Sequence, residues 1–416
     1  MPNCDLTISQ IESERHRTHM SDLPKIISVD DHIVEPAHLW QTWLPKKYRE
    51  HGPRVERRGI GEIRHTGGGR YEQTFDPDGP MADCWVFEDL VYVHKRHVAG
   101  VGFSREEMTM TPMTYDEMRP GCYDPAERTK DMLANHVDGS LSFPTFPRFC
   151  GQTFTENSDR ELGLECIKAY NNYMVEEWCG DSNGVLIPLI IVPLWDAELA
   201  AAEVRRNAER GVRAVCFSEI PAHLGLPSIH SGFWDPFFQA CEETSTVINM
   251  HIGSSSRMPA TSADAPDGVA ATLSFNNSMT SLADWLFSGK LVQFPQLKLA
   301  YSEGQIGWLP YLLERADTVW EEHRAWVGRD GITPEPPSEY FRRNVFGCFF
   351  KDYHGIASRD VIGIDNITFE TDYPHTDSTW PESKTVAEKH LLGLSDEEKY
   401  KILRGNAIRM LSLDRV

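Results

Sequence analysis

Eight short apolar runs, most of them separated by helix-period segments, constrain this chain more than any other feature of its sequence. They lie near residues 26, 138, 185, 212, 246, 298, 345 and 366. Several are apolar at consecutive positions, as in Val185-Leu-Ile-Pro-Leu-Ile-Ile-Val192, the pattern of a strand covered on both faces. The segments between them repeat apolar residues every three or four positions. One carries Leu162, Ile167, Tyr170, Met174 and Trp178; another carries Leu309, Leu312, Leu313, Ala316, Val319 and Trp320. An alanine-rich helix over 197–210 is closed by Gly211. Eight strand–helix units make the count of an α/β fold, the (β/α)8 TIM barrel. The rival, an open doubly wound sheet, wants a Gly-rich phosphate turn after an early strand. Neither GxGxxG nor GxxxxGK(S/T) occurs.

Two stretches stand outside this rhythm. Residues 1–24 are polar and read as an N-terminal arm, which leaves 25–416 for the barrel. Between strands 1 and 2 runs a long insertion, 36–135, with Gly67-Gly-Gly69, Asp76-Pro-Asp-Gly-Pro80 and many aromatic residues and methionines. A loop-rich stretch of this length serves as a lid, a subdomain or an assembly surface. Its aromatic content argues against disorder.

Charge and composition then narrow the partners. A formal net charge of -21 argues against nucleic acid and anionic membranes. No apolar run approaches the roughly 20 residues of a spanning helix. The N-terminus lacks a basic-then-apolar leader, so a cytoplasmic protein is expected. Nine scattered cysteines without CxxC predict reduced, buried thiols.

The strand ends carry the chemistry. Asp30 and His32 end the first strand and Glu35 follows; His251 ends the fifth, Glu303 the sixth, and Asp372 with His375 the eighth. In a barrel these ends gather at one mouth. Asp30 and His32, two apart, share one side of their strand. Imidazole and carboxylate around an open position suit Zn²⁺, Fe²⁺ or Mn²⁺. Each residue also has a plainer reading. An isolated histidine is more often a surface or satisfied core group. Asp30 and Asp372 could cap the next element, Glu35 could open a helix at Pro36, and Glu303 could pair with Arg315. His375, close to Asp377, could only orient a ligand. Arg148 and Arg257 follow strand ends and suit a bidentate grip on a substrate carboxylate, or are ordinary surface arginines. The convergence of ligand types at successive strand ends is more informative than any single residue.

Four motifs in order, Val29-Asp-Asp-His-Ile-Val-Glu-Pro36, Met250-His-Ile-Gly253, Ser302-Glu-Gly-Gln-Ile-Gly-Trp-Leu-Pro310 and Thr371-Asp-Tyr-Pro-His375, resemble the amidohydrolase-related family. This branch of the amidohydrolase superfamily includes aminocarboxymuconate semialdehyde decarboxylase. The resemblance spans residue 25 to the C-terminus and implies a metal-dependent TIM barrel, usually with zinc or manganese. It implies that Asp30-x-His32 stands where the family writes HxH, that His251 is the fifth-strand metal histidine, and that Asp372 is the eighth-strand aspartate. Where many decarboxylases of this type place a catalytic histidine, this chain has Ser302-Glu303-Gly304. That leaves Glu303 as the acid/base, or a different chemistry. Some relatives hold two metals and hydroxylate C–H bonds with O₂; Glu35, Glu303 and His375 would supply the extra ligands.

The expected function is therefore a metal-dependent hydrolase or non-oxidative decarboxylase that acts on a small carboxylate-bearing substrate through a metal-bound water, with zinc the expected metal and manganese or iron the alternatives. Asp30, His32, His251, Asp372, Glu35 and His375 are the candidate metal ligands, and Glu303 and Asp372 the catalytic groups. The alternatives are an iron or manganese oxygenase with a dinuclear site, and a non-catalytic metal-binding partner subunit. Family habit and the aromatic-rich insertion predict a homo-oligomer or a hetero-oligomer with a related subunit.

Overall fold

The computed structural model describes residues 23–67, 70–327 and 332–414. Residues 1–22, most of the expected N-terminal arm, lie outside the described residues. The first strand, β1 (Ile26–His32), is buried along its whole length. The next four, β2 (Arg54–Gly67), β3 (Arg70–Phe75), β4 (Met81–Phe87) and β5 (Leu90–Val93), belong to the 36–135 segment. They are followed by β6 (Val137–Phe143), β7 (Leu186–Ile187), β8 (Ala214–Phe217), β9 (Val247–His251), β10 (Leu299–Ser302), β11 (Val345–Phe349) and β12 (Ile367–Phe369).

Strands β1 and β6 to β12 fall on the eight apolar runs, and every pairing among them is parallel. One sheet runs β1-β6-β7 and another β12-β11-β10-β9-β8. A bridge between Ile190 and Val215 links the end of β7 to β8. On the opposite side the Asp372 N–H donates to the Asp30 carbonyl at 2.9 Å, and the His32 N–H to the Tyr373 carbonyl at 2.6 Å. The result is a TIM-barrel-like α/β fold. One expected strand, 185–192, is curtailed to two residues. Pro188 interrupts it because proline has no N–H for the ladder.

The intervening helices follow from local chemistry. Asp196 caps the helix Ala197–Ala208 by accepting from the N–H groups of Glu198 and Leu199, both at 3.0 Å. Its buried face is Ala197, Ala200, Ala201, Val204 and Ala208. Gly211, at φ +89°, turns the chain toward β8.

The 36–135 segment, which showed no clear strand or helix rhythm, contains an antiparallel sheet ordered β3-β2-β4-β5. Its strand β4 faces two cores, as alternation along a strand allows. Ala82 and Cys84 join Ile60 and Val93 in a small cluster, whereas Trp85 and Phe87 pack into the main core. Trp85 meets Trp40 and Phe146 at ring distances of 4.9 and 5.1 Å. Among the described residues no helix is long and apolar enough to cross a membrane. The eight described cysteines are free and buried.

Candidate metal centre

Alternation along β1 sends neighbouring acids to different tasks. Asp31 is a seam residue: its carboxylate accepts from Ser140 Oγ and Thr371 Oγ1, both at 2.5 Å, and from the Tyr373 N–H at 2.9 Å. Asp30 and His32, on either side of it, meet the ends of β9 and β12 instead. His32 Nε2 lies 3.5 Å from Asp30 Oδ1, 3.4 Å from Asp372 Oδ1 and 3.2 Å from His251 Nε2. His251 Nε2 is in turn 3.3 Å from Asp30 Oδ2. His375 Nδ1 stands 3.0 Å from Asp372 Oδ1.

The donor set fits a divalent cation. Asp30, His32, His251 and Asp372 are all buried, yet among the described residues neither oxygen of either aspartate has a hydrogen-bond partner. His251 Nδ1 sits 2.6 Å from the Ile252 carbonyl; a proton donated there leaves Nε2 with a bare lone pair facing the others. Bonds of about 2.0–2.2 Å to one ion place adjacent ligand atoms about 3.0–3.5 Å apart, the spacing of this cluster. Buried polar atoms without partners are costly, and a cation bound among them would answer those it touches.

The electrostatics point the same way. Burial, and then the charges of Glu370, Glu303 and Asp372, raise Asp30 well above the usual carboxylate range. Burial, and then Glu303, raise Asp372. Burial holds His251 down at about 4 and His32 well below its ordinary value, the uncharged form a cation requires of an imidazole. Glu303 differs: burial pushes it up, but His251 and His375 beside it hold it at about 2. Its carboxylate lies 3.6 Å from His251 Nε2 and 3.8 Å from His375 Nδ1.

The amidohydrolase family model matches residues 37–413, nearly the whole chain. This chain belongs to the amidohydrolase family. The match begins just after the Asp30-x-His32 pair, so the first-strand ligands come from a part of the sequence outside it. No curated protein matches this chain. Among solved structures, an amidohydrolase from Mycobacterium avium subsp. paratuberculosis K-10 is 21% identical, covering 93% of this chain and 99% of its own, with a TM-score of 0.66. The 5-carboxyvanillate decarboxylase of Novosphingobium aromaticivorans, complexed with manganese and a nitrobenzoic acid, is 20% identical over 70% of this chain and 81% of its own, at TM-score 0.56. The dihydroxybenzoic acid decarboxylase of Polaromonas sp. JS666, with bound manganese and 2-nitroresorcinol, is 20% identical over 72% and 90%, at 0.58. At these identities the likeness is one of fold.

In this amidohydrolase-family chain the expected residues do not all converge. Asp30, His32, His251, Glu303, Asp372 and His375 come together in two overlapping groups of ligand atoms. Glu35 does not join them, which corrects its assignment as a metal ligand. Its two carboxylate oxygens accept the N–H groups of Thr145 and Phe146 at 2.9 and 2.8 Å, and burial pushes it up to about 7. It secures the loop after β6. Arg148, on that loop, pairs with Glu156 at 2.5 Å, and Arg257 is exposed on the loop after β9.

Several groups that support the site gave no advance signal. Arg128, fully buried, donates to the His32 carbonyl at 2.5 Å and to the Gly121 carbonyl at 2.7 Å. Phe149 stacks on His251 at 4.2 Å. Glu219 closes β8; its N–H donates to Ser254 Oγ at 2.9 Å and its carboxylate accepts from Ser278 Oγ at 2.7 Å, bracing the loop after His251. The 36–135 segment grips the other side: Thr376 N–H donates to the His97 carbonyl at 3.3 Å, and Val101 N–H to the Pro374 carbonyl at 3.2 Å.

Proposed function

We propose that this chain is a single-ion, metal-dependent enzyme that removes carbon dioxide from a small carboxylate-bearing aromatic substrate. The observation that carries the reading is the set of four buried residues Asp30, His32, His251 and Asp372, whose four aspartate oxygens have no hydrogen-bond partner among the described residues, with Glu303 beside them. It is supported by the manganese held by the decarboxylases of similar fold. A divalent ion bound to these residues supplies Lewis acidity. One ion is favoured over two because both groups of ligand atoms draw on His32, through the single nitrogen Nε2. That argues against the dinuclear oxygenase.

The protein's own groups do the rest. Loss of CO₂ leaves an electron pair on carbon that must gain a proton. Glu303 is proposed to relay it from solvent to carbon, because its side chain is 14% exposed whereas Asp30 and Asp372 are fully covered; held near 2, it carries that proton only in passing. His375 lies within reach to exchange that proton, and Phe149 shields the His251 face from water. Arg257 and Arg148, on neighbouring loops, are proposed to hold a substrate carboxylate. We infer in addition that β1 and β6 to β12 close as a full (β/α)8 barrel, with 36–135 as an insertion against its mouth.

A second reading, hydrolysis, is favoured by one observation: the Glu303 carboxylate, partly exposed and 3.6 Å from His251 Nε2, stands where it could accept a proton from a water at the site. A panel of 5-carboxyvanillate, dihydroxybenzoates and aryl esters, assayed with manganese or zinc restored after chelation, separates the two. We expect CO₂ release from an aryl acid with about one metal per chain. Ester or amide cleavage alone would sink decarboxylation, and purified chain that binds no divalent metal would sink both readings.

A further inference from the structure

Glu303 is held in its place by an acid that the proton-transfer reading leaves unused. It follows β10 at φ +55°, a left-handed conformation that side-chain-bearing residues seldom adopt. Its N–H donates to Glu370 Oε2 at 3.1 Å. The same oxygen accepts the Cys348 thiol at 2.5 Å. Glu370 and Cys348 are both buried, so the ends of β10, β11 and β12 meet at one carboxylate. Behind the turn, a Cβ on Gly304 would approach Ser278 Oγ to 3.2 Å, so the chain there has little room to slide.

We infer that Glu370 is a positioning residue for Glu303. By accepting the Glu303 N–H it fixes the left-handed turn that sets the Glu303 carboxylate between His251 and His375, 3.6 and 3.8 Å away. Without that acceptor the N–H is left buried and unpaired, and the turn loses its reason to stay left-handed. The functional consequence rests on reading Glu303 as the proton-transfer group; the positional one does not.

The test uses the full chain loaded with manganese. In Glu370→Met, which fills the space without an acceptor, a crystal structure should find Glu303 out of the left-handed region and its carboxylate withdrawn from His251. Metal content should be unchanged, and kcat on an aryl acid should fall about 100-fold with KM little altered, as for a misplacement near 1 Å. Glu370→Gln, whose amide oxygen accepts the same N–H, should restore both position and the pH profile of kcat. Glu303 unmoved in Glu370→Met, or displaced in Glu370→Gln, overturns the inference. Where Glu370→Met does not fold, Glu370→Gln alone decides by the same displacement. Glu303→Gln separates the two levels: unchanged turnover there removes the proton-transfer reading, while the crystal structures still judge the positioning.

Discussion

Buried acids in two parts of this molecule are treated in opposite ways. In the 36–135 segment each is answered by protein. Asp83 accepts both Arg57 nitrogens at 2.9 Å and the Tyr115 N–H at 2.8 Å. Asp131 accepts two Arg119 nitrogens and the Tyr373 hydroxyl, all at 2.6 Å. At the ends of β1 and β12, Asp30 and Asp372 are covered as completely but have no hydrogen-bond partner among the described residues on any of their four oxygens. The same residue type is structural where its lone pairs are spent, and is proposed to be functional where they are kept free. Burial alone does not distinguish the two.

The largest test of this contrast removes a free acid. Asp372→Ala should lower metal affinity by more than about 100-fold, since loss of a mere outer partner already costs 10–100-fold. Metal analysis after dialysis reads the result, and unchanged content would remove Asp372 from the ligand set. The answered region should respond in stability instead. Trp85→Ala, which empties the contact with Trp40 and Phe146, should cost about 3–5 kcal/mol in urea unfolding. Metal stoichiometry should stay as it was; a loss under 1 kcal/mol would mean the segment is not anchored there.

The smallest effect concerns one of the unpartnered buried groups within the segment. His94 is buried with neither ring nitrogen partnered, and burial holds it down at about 4. The unfolded chain titrates near 6.5, so between those values the unfolded state takes the proton and the native state does not. His94 should therefore contribute about 2 kcal/mol of lost stability from pH 7 to pH 5, beside what the other buried histidines, among them His97 held down at about 3, add over the same range. His94→Phe should flatten that part of the profile, and an unchanged slope would place the titration elsewhere.

How much was legible in the sequence follows from where the information is local. Asp30, His32, His251 and Asp372 each end an apolar run, so their strand and their end of it could be read directly. Glu35 was misplaced because nearness in sequence does not set direction. Two backbone N–H groups more than a hundred residues away claim its carboxylate. Arg128 offered nothing to read, being one arginine on an ordinary helix whose target is a backbone carbonyl of β1. The sheet within 36–135 was hidden because β4 serves two cores, which blurs the polar–apolar alternation that would mark a half-exposed strand. Glu370 stood in plain view two residues before Asp372, but its partner is the amide of a residue on a different strand.

The seam between β1 and the end of β12 also bears on timing. The hydrogen bond from Asp372 to Asp30 joins positions at nearly opposite ends of the chain, and the cluster of ligand atoms straddles it. During synthesis the proposed first-strand donors, from Asp30 on, emerge 342 positions before the last proposed donor, Asp372. Contacts this distant in sequence are slow to form and late to be rewarded. High-affinity metal capture would then report that synthesis and folding have both reached the eighth parallel strand, and chains truncated before Ile367 would compete poorly for the ion.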